Sequence, residues 1–281
     1  MTKFSYIILA FPILFSACHT GQLNNLLDLP VSLKENSALE YTNQDRLLWT
    51  IEDAGNPNAL YALDAKGQLT KTIEIENAEN IDWEDLASDQ EENIYIGDFG
   101  NNEKTREHFT IYKVSKPGKA MKRSSAEKIA FTLPSTMESQ DFEAFFLYEN
   151  KFYIFSKGTK ETIMISVENS IGDHVAQLVT TSKLDGKDNQ ITAADISADG
   201  KTIVLLNHEK LWKLSKFKAD KFFEGTVEII PFGHTSQKEG IVFITKDEVL
   251  ISDELKNNNG GNLYHLELKG KKSAEGTNQN K

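Results

Sequence analysis

The stretch that decides the fold reads Trp83-Glu84-Asp85-Leu86-Ala87, then Asp89-Gln90-Glu91-Glu92-Asn93, then Ile94-Tyr95-Ile96-Gly97-Asp98. An apolar strand, a polar turn and a second apolar strand follow one another, which is typical of a β-hairpin. Similar stretches begin at Phe142, Ala193 and Lys238, and a weaker one begins at Leu39. Repetition at a period of a few tens of residues indicates an array of like units, and hairpin units of this kind are typical of a β-propeller.

The number of blades follows from what comes after each hairpin. The first four hairpins continue into two more short segments rich in β-branched and aromatic residues, but the fifth has only Asn262 to Leu268 before a polar tail. The extended N-terminal piece Leu26–Leu33 can supply the missing outer strand and protect the edges of the first and last blades. The sequence therefore predicts an all-β, five-bladed propeller closed by an N-terminal strand. Six blades is the alternative, because the stretch 98–139 is long enough to hide another unit.

The N-terminus carries an export signal rather than a structural element. Lys3 precedes an apolar run, Tyr6 to Phe15, that is too short to span a bilayer as a helix. Leu14-Phe15-Ser16-Ala17-Cys18 resembles a bacterial lipobox, with an ordinary signal peptide and a chance cysteine as the alternative. We therefore expect a signal peptide at 1–17, fatty acyl chains such as palmitate on Cys18, a tether at 18–25, a propeller at 26–268 and a disordered tail at 269–281.

Charge and cysteine content limit the partners and the compartment. The net charge is −11, and Cys18 is the only cysteine, so no internal disulfide can form. An acidic chain is a poor partner for nucleic acid or for anionic lipid headgroups. The expected contact with the membrane is through the lipid on Cys18. The absence of Asp after Cys18 favours an outer-membrane destination, by analogy with bacterial lipoprotein sorting.

Charged residues recur at fixed positions of the repeat. In a propeller the innermost strand begins, and the second strand ends, at the same mouth of the central channel. One ring of repeated positions consists of Glu40, Glu84, Glu143, Ala194 and Glu239. The other ring consists of Asp53, Asp98, Lys157, His208 and Asp253. We expect both rings to share one acidic channel mouth.

Such a concentration of carboxylates needs compensation, because like charges raise one another's pKa. A hard divalent cation is the simplest compensator, and calcium takes several oxygen ligands. The predicted calcium ligands are Glu84, Glu143, Glu239, Asp98, Asp253, Glu40, Asp53 and Asn101. The structural alternative is that these acids only accept hydrogen bonds from strand amides and pair with Lys157.

Two stretches resemble a known family. Asn80–Ala87 followed by Gly97–Asn102 resembles a sequence motif of exported bacterial propeller lipoproteins. Glu239-Gly240-Ile241 followed by Ile251-Ser252-Asp253-Glu254 resembles the last blade of the SdiA-regulated propeller family. More remotely, the pattern is similar to esterase-like phytases and to calcium-dependent gluconolactonase and phosphotriesterase propellers. The resemblance implies a propeller and a calcium ion at the channel mouth, but not a reaction, because one fold hosts many functions.

Two functions remain open at this point, with a purely structural scaffold as a third. The leading hypothesis is a membrane-tethered propeller that binds a metal ion and an unknown small-molecule or protein ligand at the acidic mouth. The competing hypothesis is a calcium-dependent hydrolase of a phosphoester or lactone, in which the metal polarises the substrate. His208 would be its general base and Lys157 its second candidate catalytic residue.

Overall fold

The computed structural model describes residues 22–269 as a ring of β-sheets. Within these residues there are 22 strands, two short 3-10 helices (Pro117–Lys119 and Phe222–Glu224) and no α-helix. No helix in this part of the chain is long and apolar enough to cross a membrane. The predicted signal peptide and Cys18 lie outside the described residues.

Each blade is an antiparallel sheet of consecutive strands that begins at the channel. The first strand, β1 (Asn24–Asp28), stands apart from the first blade. Blade 1 contains β2 (Asn36–Thr42), β3 (Leu47–Glu52), β4 (Ala59–Leu63) and β5 (Leu69–Ile75). Blade 2 contains β6 (Trp83–Ser88), β7 (Ile94–Asp98), β8 (His108–Val114) and β10 (Ala126–Thr132), with β9 (Arg123–Ser124) lying between the last two in sequence.

The remaining blades repeat this arrangement. Blade 3 contains β11 (Phe142–Tyr148), β12 (Lys151–Ser156), β13 (Thr162–Glu168) and β15 (Gln177–Ser182), with β14 (Gly172–Val175) between the last two in sequence. Blade 4 contains β16 (Ala193–Ile196), β17 (Thr202–Leu206), β18 (Lys210–Ser215) and β19 (Thr226–Pro231). Blade 5 contains β20 (Lys238–Thr245), β21 (Glu248–Asp253) and β22 (Asn262–Glu267).

The ring closes through β1, which pairs antiparallel with β22 and supplies the fourth strand of blade 5. The predicted closure is thus confirmed, although the strand begins two residues before the predicted segment Leu26–Leu33 and ends at Asp28. Pro30 has no N–H to contribute to a ladder, so pairing cannot run on through it. Leu29 and Leu33 instead enter the apolar core between blades 5 and 1.

The six-bladed alternative is wrong, because the long stretch 98–139 adds no blade. Its strands β8 and β10 complete blade 2, and β9 crosses to pair in parallel with β5 of blade 1. In the same way β14 pairs in parallel with β10 of blade 2. A short strand from blade 2 therefore extends the sheet of blade 1, and a short strand from blade 3 extends the sheet of blade 2.

Five apolar clusters hold the ring together, one at each blade-to-blade interface. Alternate side chains of a strand point to opposite faces of its sheet, so the apolar residues of each hairpin serve two interfaces. Trp49 and Trp83 both lie in the cluster between blades 1 and 2, and Phe109 and Phe145 lie between blades 2 and 3. These buried aromatic side chains account for the strongly apolar repeat in the sequence.

The first strands of the blades surround the channel. Neighbouring pairs in the order β2, β6, β11, β16 and β20 are in contact, and β20 returns to β2. We call the end where these strands begin the upper mouth and the end with the hairpin turns the lower mouth.

Candidate functional site

Three glutamates stand at the upper mouth because a β-bulge precedes each first-strand ladder. Glu84, Glu143 and Glu239 are each the extra residue where the register shifts between the first two strands of their blades. A bulge re-aims a side chain and interrupts pairing. The three carboxylates interact: burial raises the pKa of Glu84 well above its usual value, and Glu143 and Glu239 raise it further.

Two basic side chains, Lys157 and His208, reach these carboxylates. Nζ of Lys157 donates to Oε1 of Glu143 at 2.8 Å, and Nε2 of His208 lies 3.0 Å from Oε1 of Glu239. Burial lowers the pKa of Lys157, but Glu143 and then Glu239 outweigh burial and leave that pKa raised. Both predicted catalytic residues therefore lie at the upper mouth, just beyond the ends of β12 and β17.

Further acids surround the three glutamates. Burial, Glu35 and Asp82 raise the pKa of Asp53 to about 6. Burial raises the pKa of Glu254 to about 8, with Glu239 and Asp53 adding to the effect. Burial also raises the pKa of Glu143 to about 8, although Lys157 opposes it. The mouth thus gathers more carboxyl groups than the single ammonium of Lys157 can pair with.

Gly100 permits the closest approach of two acids. Its backbone N–H donates to the carbonyl of Asp82 at 3.2 Å. A Cβ at this position would overlap Oε1 of Glu84 and the carboxyl group of Asp82. The glycine-rich stretch Gly97–Asn102 therefore serves to bring two carboxylates against a bare backbone.

One predicted ligand lies at the wrong end of the channel. Glu40 pairs with Trp49 in the middle of the first hairpin and lines the lower mouth with Asp195. The bulge in β2 spans more residues than those of the other blades, because pairing resumes only at Glu40 after Ser37. The residue of blade 1 that matches Trp83 is therefore Asn36. The weaker first repeat led to the incorrect match of Glu40 with Glu84.

Three other predicted ligands are engaged in local bonds. Asp253 accepts from the backbone N–H of Asn262 at 2.7 Å and from the hydroxyl of Tyr264 at 2.8 Å. Asn101 donates to Oγ of Ser139 at 2.8 Å, and its oxygen accepts from two backbone N–H groups of its own loop. Asp98 accepts from Nη2 of Arg106 at 3.0 Å. These bonds hold loops and strands around the mouth, and among the described residues only Oδ2 of Asp98 is left buried without a hydrogen-bond partner in this group of three.

The donor set does not form a ready metal site. Among residues 22–269, no group of three or more His, Cys, Asp or Glu side chains is arranged to hold a metal ion. A calcium ion at the upper mouth would require the carboxylates to draw together around it. Calcium binding therefore stays a prediction from the sequence.

The two rings of repeated positions do not include two acids that follow a simpler pattern. Asp82-Trp83-Glu84 and Asp141-Phe142-Glu143 share the order acid, aromatic residue, glutamate in successive blades. Asp82 and Asp141 both act on the glutamates of the mouth, since Asp82 raises the pKa of Glu84 and Asp141 that of Glu143, in each case after burial. The repeated triplet was the signal in the sequence that could have identified Asp141.

Carboxylates also occupy the interior of the channel. The buried side chain of Asp85 accepts from the backbone N–H groups of Leu86 at 2.9 Å, Phe145 at 3.0 Å and Ala194 at 3.2 Å. Asp195 accepts from those of Ile196 and Phe243, both at 2.7 Å. Burial raises the pKa of Asp195 to about 7. These two side chains join the first strands of blades 2, 3, 4 and 5.

Two cavities open at the mouths. The lower mouth holds a cavity of about 670 Å³ lined by all five hairpin turns and by Glu40 and Asp195. A cavity of about 340 Å³ lies beside the upper mouth. Its lining residues are His208, Thr235, Ser236, Gln237, Glu254, Lys256, Asn257 and Asn259.

Comparison with solved structures shows the fold alone. A PQQ-bound aldose sugar dehydrogenase from Streptomyces coelicolor has a TM-score of 0.55 and 8% identity, with 88% of this chain and 98% of that chain covered. A gluconolactonase from Xanthomonas campestris has a TM-score of 0.49 and 13% identity, with 83% and 72% covered. These values indicate a shared propeller architecture with the dehydrogenase and carry no information about activity here.

Comparison at the sequence level identifies the family. No curated protein matches the chain. The family model described as SdiA-regulated matches residues 26–215, which is more than half of the chain and covers blades 1 to 4 up to β18. The five-bladed propeller described above therefore belongs to the SdiA-regulated family.

Proposed function

We propose that the protein is a ligand-binding propeller whose upper mouth takes a cationic group, either the ammonium of an organic ligand or a metal ion such as calcium. One observation carries this proposal: β-bulges bring Glu84, Glu143 and Glu239 together at the mouth, where all three are buried. Burial, with smaller contributions from neighbouring acids, raises the pKa of Glu143 and of Glu254 to about 8 and that of Glu84 well above its usual value.

A bound cation would change the protonation of the mouth. Near neutral pH the raised pKa values mean that protons partly neutralise the carboxyl groups. An added positive charge favours the ionised carboxylates and replaces those protons. Binding should therefore release protons and become stronger as the pH rises from 6 to 8.

The experiment is a titration of the purified propeller with calcium chloride and, separately, with methylammonium chloride, followed by calorimetry and thermal unfolding. We expect at least one cation to raise the melting temperature by mass action on the folded state. Glu84→Gln and Glu239→Gln should weaken that binding, whereas Glu127→Gln, an exposed residue of β10, should not. The absence of any shift with either cation at millimolar concentration would exclude a cation site.

The proposal includes attachment to a membrane through lipid on Cys18, supported by the lipobox-like sequence Leu14–Cys18. Acyl chains contribute about 0.8 kcal/mol per buried CH₂ group, so two or three chains hold a protein on a bilayer. Full-length protein should partition into detergent, and Cys18→Ala should abolish this partitioning. Wild-type protein with a free thiol at Cys18 would contradict the attachment.

A second candidate function is hydrolysis of a phosphoester or lactone, and the contact between His208 and Glu239 favours it. The His208 side chain is 37% exposed and lines the cavity of the upper mouth, where a carboxylate orients its ring. An oriented, accessible imidazole is suited to act as general base. His208→Ala should abolish turnover of p-nitrophenyl phosphate or of a sugar lactone without reducing cation binding. No turnover of either substrate by wild type, with or without calcium, would leave the binding function alone.

A further inference from the structure

We infer that the ligand of the upper mouth is a hydroxylated primary amine of the size of an amino sugar, with its hydroxyl groups in the cavity beside His208. This inference rests on the proposed function, because the ammonium is assigned to the glutamates of the mouth. It adds the chemical class of the rest of the ligand.

The cavity has a size that fits one small ring. Its volume of about 340 Å³ lies at the lower end of the roughly 300–1,000 Å³ range of ligand pockets. One wall is the loop that follows β19, and the other is the hairpin that follows β21. Both walls belong to the blade 4–blade 5 side of the mouth.

The lining is rich in unused hydrogen-bonding capacity. Within residues 22–269 the side-chain amides of Gln237, Asn257 and Asn259 make no hydrogen bond to the protein, and those of the two asparagines are exposed to solvent. Each amide carries two N–H donors and one carbonyl acceptor. Neutral groups that both donate and accept are suited to hydroxyls, which do the same. A ligand with several hydroxyls can therefore engage all three amides.

One wall of the cavity is held rigidly. Nζ of the fully buried Lys238 donates to Oγ of Ser236 at 2.8 Å and to the carbonyl of His208 at 3.1 Å. The same ammonium lies over the rings of Phe232 and Tyr264. The loop that carries Gln237 is thus fixed relative to His208 before any ligand arrives.

The cavity lies next to the glutamates of the mouth, because Nε2 of His208, which lines it, is 3.0 Å from Oε1 of Glu239. Glu239 in turn interacts with the other charged groups of the mouth. Its carboxylate raises the pKa of Lys157, after the larger effects of burial and Glu143, and that of Glu84, after the larger effects of burial and Glu143. Glu254 also lines the cavity and interacts with Glu239 and Asp53. An ammonium beside Glu239 would therefore leave its own carbon skeleton in the cavity. A flat apolar amine would fill this space without using the amides.

The test compares four compounds on the whole propeller by calorimetry: glucosamine, glucose, cyclohexylamine and glycylglycine. We expect glucosamine to bind most tightly, glucose to lack the ammonium contribution and cyclohexylamine to lack the hydroxyl contribution. Gln237→Ala and Asn259→Ala should each weaken glucosamine about three- to tenfold, the effect of one net hydrogen bond, and leave cyclohexylamine unchanged. The matched control is Asn258→Gly, because Asn258 lies outside the cavity lining and its φ of 63° suits glycine.

The outcomes distinguish a wrong ligand class from the absence of a cation site. Equal affinity for glucosamine and cyclohexylamine overturns the hydroxylated class while the cation site stands. Tighter binding of glycylglycine overturns it in favour of a zwitterion, whose carboxylate would use Lys256. Failure of both amines and of calcium to bind overturns this inference together with the proposed function. Loss of glucosamine affinity in Glu84→Gln as well as in Gln237→Ala supports a single site with two parts.

Discussion

At the scale of single residues, Asp85 shows why a propeller channel can contain acids without binding anything. The first strand of a blade has a sheet neighbour on one side only, so its other edge presents unpaired N–H groups to the channel. Buried N–H groups need acceptors. Asp85 supplies them to its own strand and to the first strands of blades 3 and 4. Its carboxylate acts as a shared acceptor for three blades.

We expect Asp85→Ala to destabilise the protein strongly. The substitution leaves three buried N–H groups without an acceptor, and each such group costs about 1–3 kcal/mol. The free energy of unfolding in urea should fall by roughly 3 kcal/mol or more, the sum of three such losses at the low end. Asp173→Ala, at an exposed position of β14, is the control and should change it by less than about 0.5 kcal/mol. A loss below about 1 kcal/mol in Asp85→Ala would show that the channel amides find other partners.

Adjacent residues of one motif have separate roles that the sequence did not distinguish. Glu84 and Asp85 are neighbours, yet Glu84 lines the upper mouth and Asp85 accepts hydrogen bonds from strand amides inside the channel. The bulge between Trp83 and Asp85 breaks the regular alternation of side chains, so their directions do not follow from a period of two. The ring of glutamates was predictable from repetition, but the interior acids were not.

At the scale of elements, equal spacing in sequence conceals unequal pairing. The offset from Glu84 to Asp98 equals that from Glu143 to Lys157, but Asp98 ends a strand and Lys157 lies beyond one. Asp98 pairs with Trp83, and the residue that pairs with the matching Phe142 is Ser156. Bulges and turn lengths set the register, and neither is visible in the apolar pattern alone. The strands were therefore predicted well, and the positions at their ends less well.

The closing strand gives a prediction at this scale. Removal of residues 1–28 deletes β1 and exposes the edge of β22, which is prone to pair with another chain. We expect a lower melting temperature and self-association in size-exclusion chromatography. Removal of residues 1–21 alone retains β1 and should preserve a monodisperse protein. Equal behaviour of the two truncated proteins would mean that β1 is dispensable for closure.

At the scale of the whole molecule, the five interfaces made the architecture predictable. Each hairpin supplies apolar residues to two clusters, so the same pattern of apolar residues recurs in the sequence of every blade. The number of blades and the closure by an N-terminal strand follow from that repetition. The chemistry of the mouth is not repeated in this way, because only blades 2, 3 and 5 carry a glutamate at the bulge, whereas blade 4 has Ala194 and Asp195 and blade 1 has Glu40 at the lower mouth. Sequence repetition therefore predicted the ring better than the site.

The surplus of buried acids predicts that stability falls as the pH rises. The pKa values of Glu143 and Glu254 are about 8, and that of Asp195 is about 7, whereas unfolded carboxyl groups titrate near pH 4. Between these limits the folded protein binds more protons than the unfolded chain, so the free energy of unfolding decreases with pH. The melting temperature should be higher at pH 5.5 than at pH 8.5.

The same experiment on Glu254→Gln provides the control. This variant lacks one of the titrating groups, and its melting temperature should depend less on pH over the same interval. A cation that binds the upper mouth should raise the melting temperature more at pH 8.5 than at pH 5.5. A wild-type protein that is most stable at pH 8.5 would show that the acids are stabilised as carboxylates instead.

The pairing of β1 with β22 also determines when the ring can close during synthesis of the chain. The ladder joins Asp28 to Asn262, so the first strand to leave the ribosome waits for the last one to be made. At about 5–20 residues per second, that interval is on the order of ten seconds or longer. Four blades can assemble before β22 is available, but the ring cannot close until nearly the whole chain has emerged from the ribosome or, for an exported chain, has crossed the membrane. A ribosome that stalls before β22 would thus yield an open, association-prone product, whereas a stop after Leu268 would release a ring able to close.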